Sequence, residues 1–174
     1  MFVSILFYYA TVFSGQLNMA QTVEWLNAGM TGRTVEASAV YGGAQRARSE
    51  GERRSNAYFF LDNCYLEYAF DKSEILPDAR LPRYGPPIRT SHKYDITKVT
   101  DIMITEDRVS EGQSLMRDRS FDVRSLCFEG EGQPSECIWV DSIRLDSIPP
   151  TDYLPGRFRN ALKHLAYLCG NPLR

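Results

Sequence analysis

The sequence predicts an α+β protein, mainly antiparallel β: a curved sheet or roll of about six strands closed by a C-terminal amphipathic helix. Three observations predict it. Near the end of the chain, Phe158, Ala161, Leu162, Leu165, Leu168 and Cys169 recur at spacings of three and four, while Arg157, Arg159, Asn160, Lys163 and His164 fall on the other side. That is a helix with one apolar stripe, which needs a hydrophobic surface to cover. The chain upstream supplies such a surface as segments with period-two alternation or dense aromatic content. These segments follow one another without helical crossovers, so they pair antiparallel.

The elements can be justified in order. Residues 22–30 form a short helix, with Val23, Leu26 and Met30 on one face and Gly29 and Gly32 where it ends. Thr34 to Tyr41 alternates, with Val35, Ala37, Ala39 and Tyr41 pointing one way, and Gly42-Gly43 ends this half-buried strand. Residues 44–56 have almost no apolar content and read as an exposed loop. Residues 57–61 and 64–70 are the strongest strands, joined by a tight turn or kink at Asp62-Asn63, the alternative being a single bent strand. Pro77, Pro82, Pro86 and Pro87 make 71–93 an irregular excursion. Residues 94–105 resume a strand and 106–119 form a polar loop. Residues 121–128 and 137–145 make a hairpin around the Gly- and Pro-containing turn at 129–135. The closing helix spans 156–169, opened by Pro155 and stopped by Gly170 and Pro172. A curved antiparallel sheet closed by a C-terminal helix is similar, as an architectural analogy, to the pleckstrin-homology-like arrangement, and architecture does not carry function.

The chain has 174 residues, of which 43% are hydrophobic, so one domain with a full core is expected. A net charge of −2 is too near neutral for nucleic-acid binding driven by bulk charge. Residues 2–13 are an apolar run closed by Ser14-Gly15, too short to span a bilayer as a helix. Its length fits the core of a signal peptide, with Gly15 or Ala20 as small residues for cleavage, and Ala20 is the one chosen. The division is then a leader at 1–20 and a single β-rich domain at 21–174. The alternative is a cytoplasmic interaction domain in which residues 1–20 belong to the core.

The cysteines are Cys64, Cys127, Cys137 and Cys169. Cys127 and Cys137 flank the predicted hairpin turn, and Cys64 and Cys169 lie on a strand and on the helix that covers it. Each pair is either a disulfide, in an exported chain, or two buried thiols. No Cys-x-x-Cys exists, and neither His92 nor His164 sits near a cysteine pair, so no metal is expected. Gly42-Gly43 and Gly130-x-Gly132 lack the lysine or helix of a phosphate loop, so no cofactor is expected either. No Gly-x-Ser-x-Gly elbow ties a serine to a histidine. Arg46, Arg48, Arg53 and Arg54 cluster as a candidate anion site, weighed against a solvated loop neutralised by Glu50 and Glu52.

The residues Thr22-Val23-Glu24-Trp25-Leu26 after a leader, Asn63-Cys64-Tyr65-Leu66, and 161–170 from Ala161 through His164 to Cys169-Gly170 resemble a loose group of exported bacterial proteins of unknown function. That group shares a Thr-x-x-Trp-like start and an Ala-x-x-His-Leu-x-x-Leu-Cys-Gly-like end. The resemblance implies export and a strand-rich middle, and brings no activity, cofactor or catalytic residue. The expectation is therefore a non-catalytic exported binding or structural-interaction domain, periplasmic or extracellular, whose partner is a protein or a cell-envelope component. The alternative from another class is an enzyme with a site assembled from loops 71–93 and 106–119.

Overall fold

The computed structural model describes residues 17–41, 48–76, 83–108, 121–144 and 154–173. The chain is α+β and mainly antiparallel. Helix α1 (Met19–Met30) leads into β1 (Thr34–Tyr41), β2 (Arg48–Asp62), β3 (Tyr65–Leu76), β4 (Arg83–Tyr84) and β5 (Ile88–Asp95). A 3-10 turn (Ile96–Lys98) then carries the chain to β6 (Val99–Arg108), β7 (Phe121–Gly130) and β8 (Ile138–Arg144), and α2 (Leu154–Leu168) closes it. The first five strands pair in the order β1-β2-β3, with β4 and β5 both on the far edge of β3, and β6-β7-β8 form a second, three-stranded sheet. Together they curl into a half-barrel. Where β1 approaches the second sheet, the Ser142 hydroxyl accepts from Glu36 N (2.7 Å) and donates to Glu36 O (3.1 Å), satisfying backbone groups that the ladder leaves open.

Both helices bury their apolar faces in one core. Helix α1 places Leu26 and Met30 there, and α2 places Phe158, Ala161, Leu162, Leu165 and Ala166, against Phe59, Leu66, Tyr68, Tyr94, Ile102, Leu126 and Ile138 from both sheets. The rings of Trp25 and Phe158 meet edge to face at 5.4 Å, a favoured aromatic geometry. Gly29 lies inside α1 because the helices touch there: a Cβ on it would stand 2.6 Å from Cε1 of Phe158. Asn27 guards the edge of β2 beyond the end of its pairing with β1. Its side chain accepts from Phe59 N (2.6 Å) and donates to Phe59 O (2.9 Å), standing in for a neighbouring strand.

A tight hairpin turn joins β2 and β3 as expected, but one residue later than Asp62-Asn63: Asp62 is still paired in β2. Asn63 and Cys64 have φ of 46° and 65° between the paired Asp62 and Tyr65, the two-residue turn whose twist suits antiparallel strands. Other expectations are corrected. Residues 48–56, read as loop, are the charged half of β2, paired along their length with β1. The charges of Glu52 and Arg54 are met across strands and between sheets, so polarity there does not signal solvent. Residues 71–76 continue β3 and 88–93 belong to β5, so the excursion at 71–93 is mostly sheet, with Pro86 and Pro87 placed between strands. Residues 94–105 are not one strand: Asp95 caps the 3-10 turn by accepting from Thr97 N (3.1 Å), and the chain changes sheet there. Residues 106–108 complete β6. The closing helix begins at Leu154, two residues before the expected start. Residues 1–16, 77–82 and 109–120 lie outside the described residues, and so do most of the leader and the centres of both loops assigned to a site.

Candidate functional site

Strand β2 positions Arg53 and Arg54 and two of the exposed rings, because it changes face partway along. Its register with β3 shifts between Ser55 and Tyr58, and Asn56 sits there at φ 50°. This is a bulge, one extra residue that reverses the alternation. Asn56 is held by donating from Nδ2 to Asp71 Oδ2 (2.8 Å), and Arg89 donates both to Asn56 O (3.1 Å) and to Asp71 Oδ1 (2.9 Å). These hydrogen bonds, Asn56's first and Arg89's next, hold the Asp71 carboxyl below its ordinary range. Before the bulge Arg54 faces the interior; after it Phe59 does, and Tyr58 and Phe60 face out.

Arg53 and Arg54 therefore lie on opposite faces. Arg46 lies outside the described residues, and Arg48 is placed only as the first residue of β2. Arg53 stacks over Tyr84 at 4.6 Å on the outer face, and Tyr84 donates to Glu36 at 2.6 Å. Arg54 points the other way and is only 4% exposed. Its guanidinium lies between two rings, 4.3 Å from the centroid of Phe70 and 3.8 Å from that of Trp139. Its nitrogens donate to Glu52 (2.6 Å), Glu136 (3.0 Å) and the Cys137 carbonyl (3.2 Å). A planar cation is suited to this, since it stacks and hydrogen-bonds at once.

Around it the interior is polar and internally matched. Lys72 Nζ lies 2.8 Å from Glu52 Oε2. Burial pushes the Glu52 carboxyl up, but hydrogen bonds from Lys72 and Arg54 outweigh it and hold the group below its usual value. Tyr94 donates to Glu136 O at 2.8 Å, and burial pushes the Tyr68 phenol up to about 12. His92 packs on Phe70 with centroids 5.7 Å apart. Burial lowers its pKa, opposed chiefly by the negative charge of Glu136. His164 donates from Nε2 to Leu17 O at 2.8 Å, tying α2 to the chain entering α1.

Two consequences of pH follow. The folded state holds Glu52 and Asp71 below their ordinary carboxylate values and His92 below the ordinary imidazole value. Each group thus binds protons less readily folded than unfolded, so stability rises with pH. Urea midpoints are expected to fall first as pH drops through about 6.5, where unfolded histidine takes its proton, and again below about 4.3, where unfolded carboxylates do. In a His92→Gln variant the first fall should shrink and the second should remain. An unchanged upper fall would show that His92 is not its source.

The outer face of β2, β3 and β5 carries the other candidate group. Tyr58, Phe60 and Tyr65 are 44%, 54% and 52% exposed. Phe60 pairs with Glu67, and Asp62 with Tyr65, so the three rings run as a diagonal row on one face. Sequence reasoning missed them because residues 57–61 are apolar on both faces and nothing local says which face is buried.

The cysteines stand at disulfide distance in two pairs: Cys64 with Cys169, and Cys127 with Cys137, with Cα–Cα separations of 5.9 and 4.5 Å. Among the described residues no group of His, Cys, Asp and Glu is arranged to hold a metal, and no helix is long and apolar enough to cross a membrane. No family model, curated protein or solved structure matches the chain.

Proposed function

We propose that the chain is a small exported binding or structural-interaction domain, a β-rich scaffold stapled by two disulfides that acts through its surface. One contrast carries this reading. The interior charges are spent on one another, with Arg54 at 4% exposure and bonded to two carboxylates and a carbonyl. The outer sheet face instead presents three half-exposed rings. The compartment is argued from the cysteines: paired cysteines persist where the environment is oxidising, in the periplasm or outside the cell. The partner is a protein or a component of the cell envelope.

In this reading residues 2–13 are the core of a leader, and the contacts of α1 support an end before Leu17 in place of the expected Ala20. Asn18 accepts from Gln21 N (2.9 Å), and its own N–H donates to Gln21 Oε1 (3.0 Å), a reciprocal cap. Cleavage after Ala20 would remove that cap, at a cost of about 1 kcal/mol, and also the Leu17 carbonyl that His164 holds. Cleavage near Gly15 leaves all of this in place. Intact mass and N-terminal sequencing of the protein recovered from the periplasm are expected to give a mature chain that retains Leu17 and Asn18 and has no free thiol. A recovered protein that keeps Met1 and four free thiols would overturn export.

A second reading, an enzyme, is favoured by one observation. His92 is lowered by burial and shares its surroundings with Glu136, Glu52, Lys72 and Arg54. It requires that a hydrolase or transferase activity, found by substrate screening, be lost in His92→Gln while the fold and disulfides persist.

A further inference from the structure

We infer that the row of rings on the outer sheet face, Tyr58, Phe60 and Tyr65, is a docking strip for a neutral polysaccharide chain; this rests on the binding-domain reading above and names its ligand class. The geometry is that of an extended ligand. Tyr58 and Phe60 are alternate residues of one strand, about 6.8 Å apart, and Tyr65 lies diagonally across from Phe60 at about 7–8 Å. The row therefore spans roughly 14 Å, the sum of those two spacings. The face of an aromatic ring is electron-rich and attracts the weakly polarised C–H bonds on the flat side of a pyranose, while its hydroxyls point outward to polar groups at the rim.

Charge decides against the other ligand that stacks on exposed aromatics. Single-stranded nucleic acid needs cations free for its phosphates. Among the described residues, the cations beside the rings are already matched: Arg89 bonds Asp71 at 2.9 Å, and Lys93 lies 3.7 Å from Glu67. Arg89 also lies over the Tyr58 ring at 4.9 Å, and Asp62, exposed beside Tyr65, adds a negative charge. A neutral, hydroxyl-rich chain meets this surface without an unpaired charge on either side.

Area decides against a second copy of the chain. An aromatic side chain offers 150–250 Å² in full, so three at about half exposure present roughly 300 Å² of ring surface, against about 800 Å² per partner in a stable interface. A strip of that size suits a few sugar units.

The test is co-sedimentation of the oxidised, exported protein with insoluble cellulose, chitin and xylan, with alginate and single-stranded poly-dT as charged controls. At least one neutral polysaccharide is expected to deplete the protein from solution, and added salt should leave that binding intact. Phe60→Ala and Tyr65→Ala should each weaken it roughly tenfold, on the scale of one aromatic stacking contact, while Phe60→Tyr and Tyr65→Phe should retain it. The inference is overturned by no retention on any neutral polymer, by alanine variants that bind like the parent, or by retention confined to the charged polymers and lost in salt. It is also overturned by a dimer in sedimentation that Phe60→Ala dissolves, which would make the occupant a second copy. Every arm starts from the oxidised exported domain, so such a failure removes the ligand class alone; export falls only to the mass and thiol readout above.

Discussion

Removing the Cys64–Cys169 bridge with alanine at both positions is expected to cost about 4–5 kcal/mol, the largest effect of any local change. The bridge closes a loop of 105 residues. Cross-linking restricts the unfolded chain more as the loop lengthens, by about 4.7 kcal/mol near 100 residues. The Cys127–Cys137 bridge spans 10 residues, and the same relation gives about 2.7 kcal/mol for it. The longer bridge also joins the β2–β3 turn to the end of α2, where Cys169 N donates to Leu165 O and Asn171 reaches back to the Ile96 and Val99 carbonyls. Cys64 has a positive φ of 65°, a conformation glycine adopts without penalty. Cys64→Gly with Cys169→Ala should therefore be more stable than the double-alanine protein by about 1 kcal/mol. Urea midpoints of the four proteins (parent, double alanine, glycine–alanine and the Cys127/Cys137 double alanine) check both the order and the spacing. Equal losses from the two bridges would contradict the loop argument.

Arg54→Ala should come next, at about 3 kcal/mol. The change leaves Glu52 and Glu136 without their shared partner, opens the space between Phe70 and Trp139, and strips a donor from the Cys137 carbonyl. Breaking a buried pair from one side costs about 3–5 kcal/mol. The lower end applies because Glu136 is half exposed and can rehydrate, while Glu52 keeps Lys72. Arg54→Lys should recover only part of the loss, since an ammonium cannot stack between two rings and reach three acceptors in one plane. Arg54→Met with Glu52→Gln should recover more than either single change, because it removes the stranded charge as well as filling the slot. A double variant no better than the sum of its parts would show that the ion pair is not what makes Arg54 costly to lose.

The parts of this fold legible in sequence are those that local rules decide. The stripe on α2 follows from a 3.6-residue period and is buried almost as written, from Phe158 to Ala166. A tight turn near Asp62-Asn63 follows from turn-forming residues, but it falls one residue further on, at Asn63-Cys64, where Cys64 takes a positive φ that no local rule predicts. The hairpin of β7 and β8 places Cys127 and Cys137 one step beyond the pair Leu126 and Ile138, so their approach could be foreseen from spacing alone. The charged stretch at 48–56 could not be read this way. The groups that let its charge be buried are distant in the chain: Glu136 and the Cys137 carbonyl are 82 and 83 residues from Arg54. The prolines of 71–93 misled for a related reason. Proline breaks a strand only where it stands inside one, and sequence does not show that Pro86 and Pro87 fall between strands.

The sequence by itself determined the fold class, the covering helix, the strand-rich body and the cysteines that can staple it, because periodicity and turn chemistry act within a few residues. Only the tertiary structure decided which face of β2 is inside. One extra residue at Asn56 reverses the alternation there, turning Arg54 into the core and Tyr58 and Phe60 toward solvent. That choice belongs to the pairing of β2 with β3 and to the sheet beyond it, and no window of the chain short enough to show a period contains them.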